Sequence, residues 1–253
     1  MEKAPTELIE RRQGYEGAMS GDFDINVIQN CCLQMELRNF QEGEKINEYE
    51  TFKRGVAQFV RAIEGKTING KVYFASDLWT LVYHDGKNRQ PLYSLSSGYQ
   101  SILRMIMELA YRAVLLNPTL DDFSNLEGVV LIDEIDVHLH PKWQWRIIGA
   151  LRATFPKVQF IVATHSPIVL SSAEDAKLIF MTSPNEVEPL DNVYGINVND
   201  VLELRQQSTD LPPELKEFRK RISRCLNDND IQGAEVVIKE AATKYGEDSA
   251  LVR

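Results

Sequence analysis

Two carboxylates, Asp133 and Glu134, stand directly after an apolar run of the sequence, GVVLI at residues 128–132. A continuous apolar run of this length predicts a strand that is buried on both faces of a parallel sheet. Ligands of such sheets collect at the carboxyl ends of the strands. There an Asp can hold a hydrated magnesium ion, and the next Glu can orient or deprotonate a water, as phosphoryl transfer requires. In the alternative interpretation, the two carboxylates only mark the point where the strand ends and a polar loop begins.

A second group of residues stands where a long, apolar-rich helix is predicted to begin. It comprises Ser96, Ser97 and Gly98, within the stretch LSSGYQS at residues 95–101. The free N–H groups and the positive dipole end of a helix start suit an anionic phosphate, and a glycine lets a ligand approach the backbone. The alternative is an ordinary serine cap at the start of the helix.

A histidine, His165, follows a second apolar run, VQFIVAT at residues 158–164. We predict a second buried strand here, next to the first in the sheet. His165 would then lie at the same carboxyl edge as Asp133 and Glu134, where it could contact the γ-phosphate of a nucleotide. A single histidine at a strand end is more often structural, so this residue alone does not decide between the two roles.

The segments around these residues alternate between strand and helix patterns. A helix is predicted to begin at Pro141 and to end before Pro156, and a third parallel strand is predicted at residues 176–181. Strand, helix, strand, helix and strand is the order of a doubly wound α/β unit. We therefore predict an α/β fold with a core of three parallel strands.

Helical segments are predicted on both sides of this unit. Three helices are predicted ahead of it, at residues 7–19, 25–40 and 49–63, and the last two have apolar residues at helical spacing. Short apolar runs broken by Asp85 and Gly86 predict a β-hairpin at residues 71–93. The tail, residues 212–253, is predicted to form two helices separated near residues 227–230.

The composition excludes several classes of protein. Of the 253 residues, 43% are hydrophobic, and 28 Lys and Arg against 37 Asp and Glu give a net charge of -9. A chain with this balance is not expected to bind nucleic acid or membrane over its whole surface, although a local basic patch remains open. No apolar stretch is long enough for a membrane span, and the charged N-terminus is not a signal peptide. Three unpatterned cysteines predict reduced thiols in a cytoplasmic protein.

Taken in order, LSSGYQS, VVLIDEIDVHLHP and IVATHSP resemble the C-terminal half of an ABC-type ATPase. The three stretches match the signature motif, the Walker B motif with its D-loop, and the switch histidine. The chain is similar to the non-transporter branch that includes the SMC, RecF and OLD proteins. DEIDVHLHPKWQWRII and FPKVQFIVATHSP further resemble the ATP-binding proteins of the Septu and retron anti-phage systems. The resemblance implies a P-loop NTPase-like fold, preceded by a helical segment and followed by a helical extension.

The resemblance also implies roles in binding ATP. Ser96, Ser97 and Gly98 would contact a nucleotide that is bound to the opposite protomer. Asp136, in the D-loop, would make a contact across the same interface. The partner implied is therefore a second copy of the chain, joined through an ATP sandwich.

Roles in hydrolysis follow from the same resemblance. Asp133 would hold Mg2+ through water, Glu134 would be the catalytic base, and His165 would be the switch at the γ-phosphate. The cofactors implied are ATP and Mg2+. In the systems that the chain resembles, the effector is often a nuclease or a reverse transcriptase complex.

The chain departs from this family pattern in its phosphate-binding loop. A P-loop has the sequence GxxxxGK followed by Ser or Thr, and the nearest stretch here is Gly65-Lys66-Thr67. Five positions before Gly65 stands Val60 rather than Gly, and the preceding FVRAIE has a helical pattern. We therefore predict the C-terminal portion of an ATPase, and truncation, a split gene and a degenerate copy remain as explanations.

Two other classes of function remain open. A metal-dependent hydrolase would use His-x-His spacing together with nearby carboxylates. Its candidate ligands are Asp133, Glu134, Asp136, His138, His140 and His165. A non-catalytic module would use the fold only to dimerise or to dock a partner protein.

Three domains are predicted along the chain. Residues 1–66 are interpreted as the remnant of a helical subdomain, residues 67–185 as the ATPase C-terminal lobe, and residues 186–253 as a helical extension. The extension has two apolar stripes, which would either pack on the core or receive an effector protein. Basic residues at 216–224 are interpreted as a solvated face rather than a nucleic-acid contact.

The missing P-loop gives a direct prediction for the isolated chain. Because most phosphate contacts in such sites come from the P-loop, calorimetry with Mg-ATP should show no binding tighter than about millimolar, roughly -4 kcal/mol. Micromolar affinity of the isolated chain for Mg-ATP would contradict the prediction that the phosphate-binding half of the site is absent.

Overall fold

The fold is described from a computed structural model of the chain. The structure describes residues 14–15, 17–18, 24–43, 45–65, 70–183, 186–190, 194–198, 201 and 213–246. The chain divides into two compact units, residues 1–195 and residues 196–253. Within the described ranges, no helix has both the length and the apolar character that crossing a bilayer would need. The domain boundaries predicted at residues 66 and 185 stay predictions.

Within the described residues, two of the three predicted helices precede the first sheet. Helix α1 spans Ile25–Glu42 and helix α2 spans Asn47–Glu64. Helix α1 begins where the Asp24 carboxylate accepts a hydrogen bond from the Asn26 N–H, and it ends at Gly43 in the left-handed conformation. Helix α2 buries one stripe of side chains, from Tyr49 to Ile63, in the core. The helix predicted at residues 7–19 lies mostly outside the described residues.

A three-stranded antiparallel sheet follows α2 and confirms the predicted hairpin. Its strands are β1, Lys71–Ala75, β2, Thr80–His84, and β3, Arg89–Pro91. The turn between β2 and β3 forms because the Asp85 carboxylate accepts hydrogen bonds from the backbone N–H groups of Lys87 and Asn88, at 2.7 and 2.6 Å.

The predicted parallel pairing is confirmed, but the third parallel strand is not. Strand β4, Gly128–Ile132, pairs in parallel with β5, Val158–Val162, so that Leu131 lies opposite Ile161. Strand β6, Leu178–Ser183, instead pairs antiparallel with β7, Glu186–Leu190, in a separate sheet. Only two residues separate β6 from β7, and so short a connection joins antiparallel strands. The prediction of three parallel core strands was therefore wrong.

The β4–β5 sheet is buried on one face only. Alternate residues such as Ile132, Phe160 and Val162 pack against the core. Val129 and Leu131 on the other face are 61% and 65% exposed. The prediction that both strands are buried on both faces was wrong for the described residues, because the helices of the core lie against one side of the sheet. An apolar run has the same appearance in the sequence whether one face or both are covered.

The core of this unit is formed mainly by helices packed against the inner face of the sheet. Helix α3, Ser97–Leu116, packs on α2, and α2 also packs on the later helix α5, Ile147–Thr154. The single helix predicted after Pro141 is split, since a turn at Trp145 and Arg146 separates α4, Pro141–Gln144, from α5.

Arg146, in that turn, contacts the end of helix α2. The Arg146 guanidinium donates hydrogen bonds to the backbone carbonyls of Ile63 and Glu64, at 3.2 and 3.1 Å, which are the last carbonyls of α2. The short helix α6, Pro167–Ser172, follows β5.

The second unit contains the predicted pair of helices. They are α7, Pro213–Asn227, and α8, Ile231–Tyr245, and the break between them falls where the sequence indicates. The Asp230 carboxylate accepts a hydrogen bond from the Gly233 N–H at 2.9 Å and thereby caps α8. Phe218, Val237 and Ala241 form the small apolar core between the two helices.

A glycine in α2 shows how tightly this core is packed, and it gives a prediction about stability. A Cβ at Gly55 would lie 1.8 Å from the ring of Phe123, which is buried. We expect Gly55→Ala to lower the free energy of unfolding by about 1–3 kcal/mol through overpacking. Urea unfolding followed by circular dichroism measures this.

The matched control for that prediction is Gly149→Ala in α5. A Cβ at Gly149 meets no atom within 4 Å. Since alanine favours a helix over glycine by about 0.5–1 kcal/mol, this variant should be as stable as the parent or more stable. Equal stability of the two variants would contradict the close packing of Gly55 on Phe123.

Candidate functional site

The two predicted carboxylates lie at the carboxyl end of β4. Asp133 and Glu134 are both exposed, in a loop whose backbone is tied to the end of β5. The Ala163 N–H donates to the Ile132 carbonyl at 2.8 Å, and the Ile135 N–H donates to the Ala163 carbonyl at 3.2 Å. Glu134 has a φ of 47°, which is rare for a residue with a side chain. Such strain is concentrated at functional sites.

Asp136 connects this loop to the residues that follow β5. Its carboxylate accepts a hydrogen bond from the Thr164 hydroxyl and another from the His165 N–H at 3.3 Å. His165 itself is exposed at the end of β5. Asp133, Glu134, Asp136 and His165 therefore all follow the carboxyl ends of the paired strands β4 and β5. The contact of Asp136 across a dimer stays a prediction, and its partners in this structure belong to the same chain.

A glutamine that the sequence reasoning missed holds the same two loops. The Gln144 amide donates to the backbone carbonyls of Leu139, at 3.0 Å, and Asp136, at 3.4 Å. Its carbonyl oxygen accepts a hydrogen bond from the Ser166 hydroxyl at 2.8 Å. The same hydroxyl accepts hydrogen bonds from backbone N–H groups at the start of α6. Gln144 thus joins the loop that follows the carboxylates to the loop that carries His165.

The predicted signature residues lie at the start of α3. Ser96 is exposed and precedes the helix, but its side chain makes no capping hydrogen bond. The start of α3 is instead fixed by the Gln100 amide, which donates to the backbone carbonyls of Leu95 at 2.7 Å and Tyr93 at 3.1 Å. The Ser96 hydroxyl is therefore not used for capping, and the interpretation as an ordinary serine cap loses its support.

Gly98 lies against the loop that follows the carboxylates. A Cβ at this position would be 2.6 Å from the backbone oxygen of His138, so only glycine permits the approach. The two segments share an open cavity of about 530 Å³. Its lining residues are Ser96, Gly98, His138, Leu139, His140, Lys142 and Trp143.

Trp143, which lines this cavity, belongs to a cluster of three aromatic rings. The Tyr99 ring lies 5.1 Å from that of Tyr83 and 5.2 Å from that of Trp143, measured between centroids. The Tyr99 hydroxyl hydrogen-bonds the Tyr83 hydroxyl at 2.7 Å, and the Trp143 indole donates to the Glu64 carboxylate at 3.0 Å. Burial, more than any neighbouring group, raises the pKa of Tyr99 far above its usual range. The start of α3 therefore packs against α4 through Tyr99 and Trp143.

The predicted site residues thus form two groups. The first group lies at the carboxyl edge of β4 and β5, and the second lies at the start of α3, with residues 135–140 between them. Within the part of the chain that the structure describes, no three His, Cys, Asp or Glu side chains lie close enough together to hold a metal ion. The ligand set considered for a metal-dependent hydrolase is accordingly not assembled there.

A comparison with known protein families identifies the family of the chain. Residues 23–171 match the family described as "AAA domain, putative AbiEii toxin, Type IV TA system". Because the match covers more than half of the chain, the chain belongs to this AAA domain family.

Individual relatives are named as retron ATPases and as a Septu protein, as the motifs predicted. The Retron Vc95 probable ATPase of Vibrio cholerae serotype O1 biovar El Tor is 41% identical over 126 residues, 46% of this chain and 24% of that protein. The Retron Ec83 probable ATPase of Escherichia coli is 40% identical over 152 residues, 60% of this chain and 27% of that protein. The Septu protein PtuA of Bacillus mycoides (strain KBAB4) is 30% identical over 196 residues, which are 73% of this chain and 27% of that protein. The matched part of the chain therefore spans about a quarter of each relative.

Solved structures give a weaker likeness. An SMC ATPase structure covers 62% of this chain with a TM-score of 0.44 and 15% identity, and the chain covers 91% of it. The SMC head domain from Thermotoga maritima covers 63% of this chain with a TM-score of 0.38 and 21% identity, and the chain covers 52% of it. These scores describe partial superposition, and the family assignment depends on the sequence match instead.

The bond between Thr164 and Asp136 gives a prediction for the site. Thr164→Val keeps the shape of the side chain but removes the donor, which should lower the free energy of unfolding by about 1–2 kcal/mol. It should also speed amide hydrogen exchange at residues 133–140 and 164–166, because the two loops lose a connection. Thr119→Val, at an exposed position, is the control and should change neither quantity. Unchanged exchange in Thr164→Val would show that the bond does not hold the loops.

Proposed function

We propose that this chain supplies the signature, magnesium and catalytic-base residues of an ABC-type ATPase, which hydrolyses ATP to ADP and phosphate. The observation that carries the proposal is the pair of exposed carboxylates, Asp133 and Glu134, at the carboxyl edge of β4, beside the loop of His165. Membership of the AAA domain family and similarity to probable ATPases support it.

Asp133 fits the role of a magnesium ligand. Mg2+ prefers carboxylate and water oxygens and keeps several of its waters, so a single exposed carboxylate beside a phosphate site suits it. When bound, the ion would neutralise charge that develops on the phosphates. Asp133 would hold the ion from the protein side, at the end of the strand.

Glu134 fits the role of general base. Within the described residues, its carboxylate is free of hydroxyl and backbone N–H contacts like those that hold the Asp136 carboxylate. Its strained backbone fixes the position from which it would orient a water. His165 would contact the γ-phosphate from the neighbouring loop. The hydrogen bond from the His165 N–H to Asp136 fixes the distance between these two functional loops.

The signature residues act on a second nucleotide in this proposal. Ser96 and Ser97 are exposed at the start of α3, on a segment separate from the carboxylate edge. A helix start with free N–H groups and unused hydroxyls suits the phosphates of ATP held by an opposing protomer. The active form would then be a homodimer with ATP between its protomers.

The proposal requires a phosphate-binding loop from outside this sequence. These 253 residues contain no GxxxxGK followed by Ser or Thr. The activity is therefore assigned to an ATPase that joins these residues to a P-loop segment. We further propose that hydrolysis regulates an effector, such as a nuclease or a reverse transcriptase complex, in anti-phage defence. The relatives support the ATPase part of this proposal by their names, a retron probable ATPase and a Septu protein.

A chimaera tests the catalytic assignment. The 126 matched residues of the Retron Vc95 probable ATPase are replaced by the corresponding residues of this chain. Glu134→Gln in the chimaera should lower ATP turnover by about 10² to 10⁴-fold, because the base is lost, while Mg-ATP binding is retained. Glu127→Gln, an exposed glutamate ahead of β4, is the matched control and should hydrolyse ATP at the parental rate.

The same chimaera tests the dimer. Ser96→Arg places bulk and positive charge where the opposing phosphates would bind, so Glu134→Gln should form an ATP-dependent dimer in sedimentation and the double variant should not. Parental turnover in Glu134→Gln would refute the assignment of the base. An ATP-dependent dimer that survives Ser96→Arg would refute the assignment of the signature.

A further inference from the structure

Lys142 contributes an exposed ammonium group to the cavity that Ser96 and Gly98 line. Its side chain is 55% exposed. Among the described residues of this lining, Lys142 is the one lysine or arginine. An ammonium group has three hydrogen-bond donors and no acceptor, so it is a site for an anion. The ATPase proposed above does not yet use this side chain.

The ion pair that Lys142 makes is loose. The distance between Lys142 Nζ and Glu64 Oε2 is 3.6 Å, which is longer than a hydrogen bond between these groups. Glu64 is only 8% exposed, and its other carboxylate oxygen accepts a hydrogen bond from the Trp143 indole at 3.0 Å. Glu64 therefore keeps a hydrogen-bond donor when the Lys142 ammonium turns towards an anion in the cavity.

The backbone of Lys142, in contrast, is fixed relative to Ser96. The Lys142 N–H donates to Nδ1 of His140 at 3.2 Å, at the start of α4. The next residue, Trp143, packs its ring 5.2 Å from the ring of Tyr99, which lies in the first turn of α3. The start of α3 therefore holds Ser96 beside the segment that carries Lys142, and the lysine side chain remains free to reach an anion between them.

The space and the donors in the cavity favour a polyphosphate chain as the occupant. The cavity has a volume of about 530 Å³ and is open to solvent. Its lining provides the Lys142 ammonium and the Ser96 hydroxyl, which is not used to cap α3. Phosphate oxygens accept hydrogen bonds from both groups. Among the described lining residues there is no Asp or Glu, so an anion in the cavity meets no carboxylate of that lining.

The charge of the chain gives this lysine a particular role in the proposed dimer. Each copy has a net charge of -9, and the exposed carboxylates of Asp133 and Glu134 contribute to it. Two copies that enclose nucleotides bring further negative charge together, and repulsion between like charges opposes their association. A lysine beside Ser96 places a positive charge where the opposing phosphates would approach.

We propose that Lys142 binds the phosphates of the nucleotide held by the opposing protomer, together with the Ser96 hydroxyl. This inference rests on the proposed ATPase function and adds to its site a residue that none of the three motifs contains. In the free chain the ammonium lies near Glu64, and in the dimer it turns to the phosphates. There it stabilises both the dimer and the negative charge that the phosphates carry during hydrolysis.

The first experiment uses the full chain and inorganic tripolyphosphate. Lysines are acetylated with a limiting amount of an amine reagent, and mass spectrometry gives the acetylated fraction at each lysine. We expect tripolyphosphate to protect Lys142, with half-protection at about millimolar concentration, because the phosphates cover its ammonium. Lys157, exposed just before β5, is the internal control and should react equally with and without tripolyphosphate. Unchanged acetylation of Lys142 would overturn the inference.

The second experiment tests whether the phosphates come from the other protomer. It repeats the acetylation on the Glu134→Gln form of the chimaera described above, with Mg-ATP in place of tripolyphosphate. Protection of Lys142 should appear only at protein concentrations at which sedimentation shows the ATP-dependent dimer. Equal protection in the monomer would show that Lys142 acts within its own protomer and would overturn the inference.

Substitutions in the same chimaera test the charge. Lys142→Gln should weaken the ATP-dependent dimer and lower ATP turnover by about 10 to 10²-fold, because a charge-assisted hydrogen bond is lost. Lys142→Arg keeps the charge and should restore most of both. Lys157→Gln, the matched control, should behave as the parent does. Circular dichroism of each variant establishes that it is folded before the comparison.

The outcomes separate this inference from the proposed function. Parental turnover and dimerisation in Lys142→Gln overturn the role of Lys142 and leave the ATPase standing. Protection of Lys142 by tripolyphosphate, together with a chimaera that does not hydrolyse ATP, supports the phosphate site and overturns the ATPase.

Discussion

The hydrogen bonds between Asp136 and the Thr164–His165 segment are the constraint on which the site depends. Two strands that run in parallel end at one edge, but their loops would be free to separate there. The Asp136 carboxylate bonds the Thr164 hydroxyl and the His165 N–H, and so makes the two loops one unit. Glu134 and His165 owe their relative positions to this carboxylate, which takes no part in the proposed chemistry itself.

A second connection extends this unit to the start of α3. Gln144 holds residues 136–139 from one side, and Gly98 contacts the His138 backbone from the other. The short loop after β4 therefore lies between the loop that carries His165 and the start of α3. A few hydrogen bonds and one close backbone contact connect the two ends. This continuity is what the proposed ATPase would need if nucleotide contacts at one protomer are to affect the other.

The sequence predicts the helices, strands and turns well, and it predicts poorly which residues pack against them. The period of apolar residues indicates α1 and α2, and Asp85-Gly86 indicates the turn after β2, because these signals are local. The half-covered sheet was missed, since an apolar run does not record which of its faces has a neighbour. Gln144 was missed for a similar reason: its importance comes from carbonyl and hydroxyl partners brought together only by folding. The motifs placed Asp133, Glu134 and His165 at the correct ends of their strands.

The exposed face of the β4–β5 sheet, which includes Val129 and Leu131, also has a consequence for the behaviour of the chain in concentrated solution. At pH 7 a net charge of -9 keeps copies apart even though their apolar patches are exposed. The sequence pI is about 5.1, so acidification towards that value removes the repulsion and leaves the patch as the dominant interaction between copies. The colloidal stability of the chain should therefore fall as the pH approaches this value.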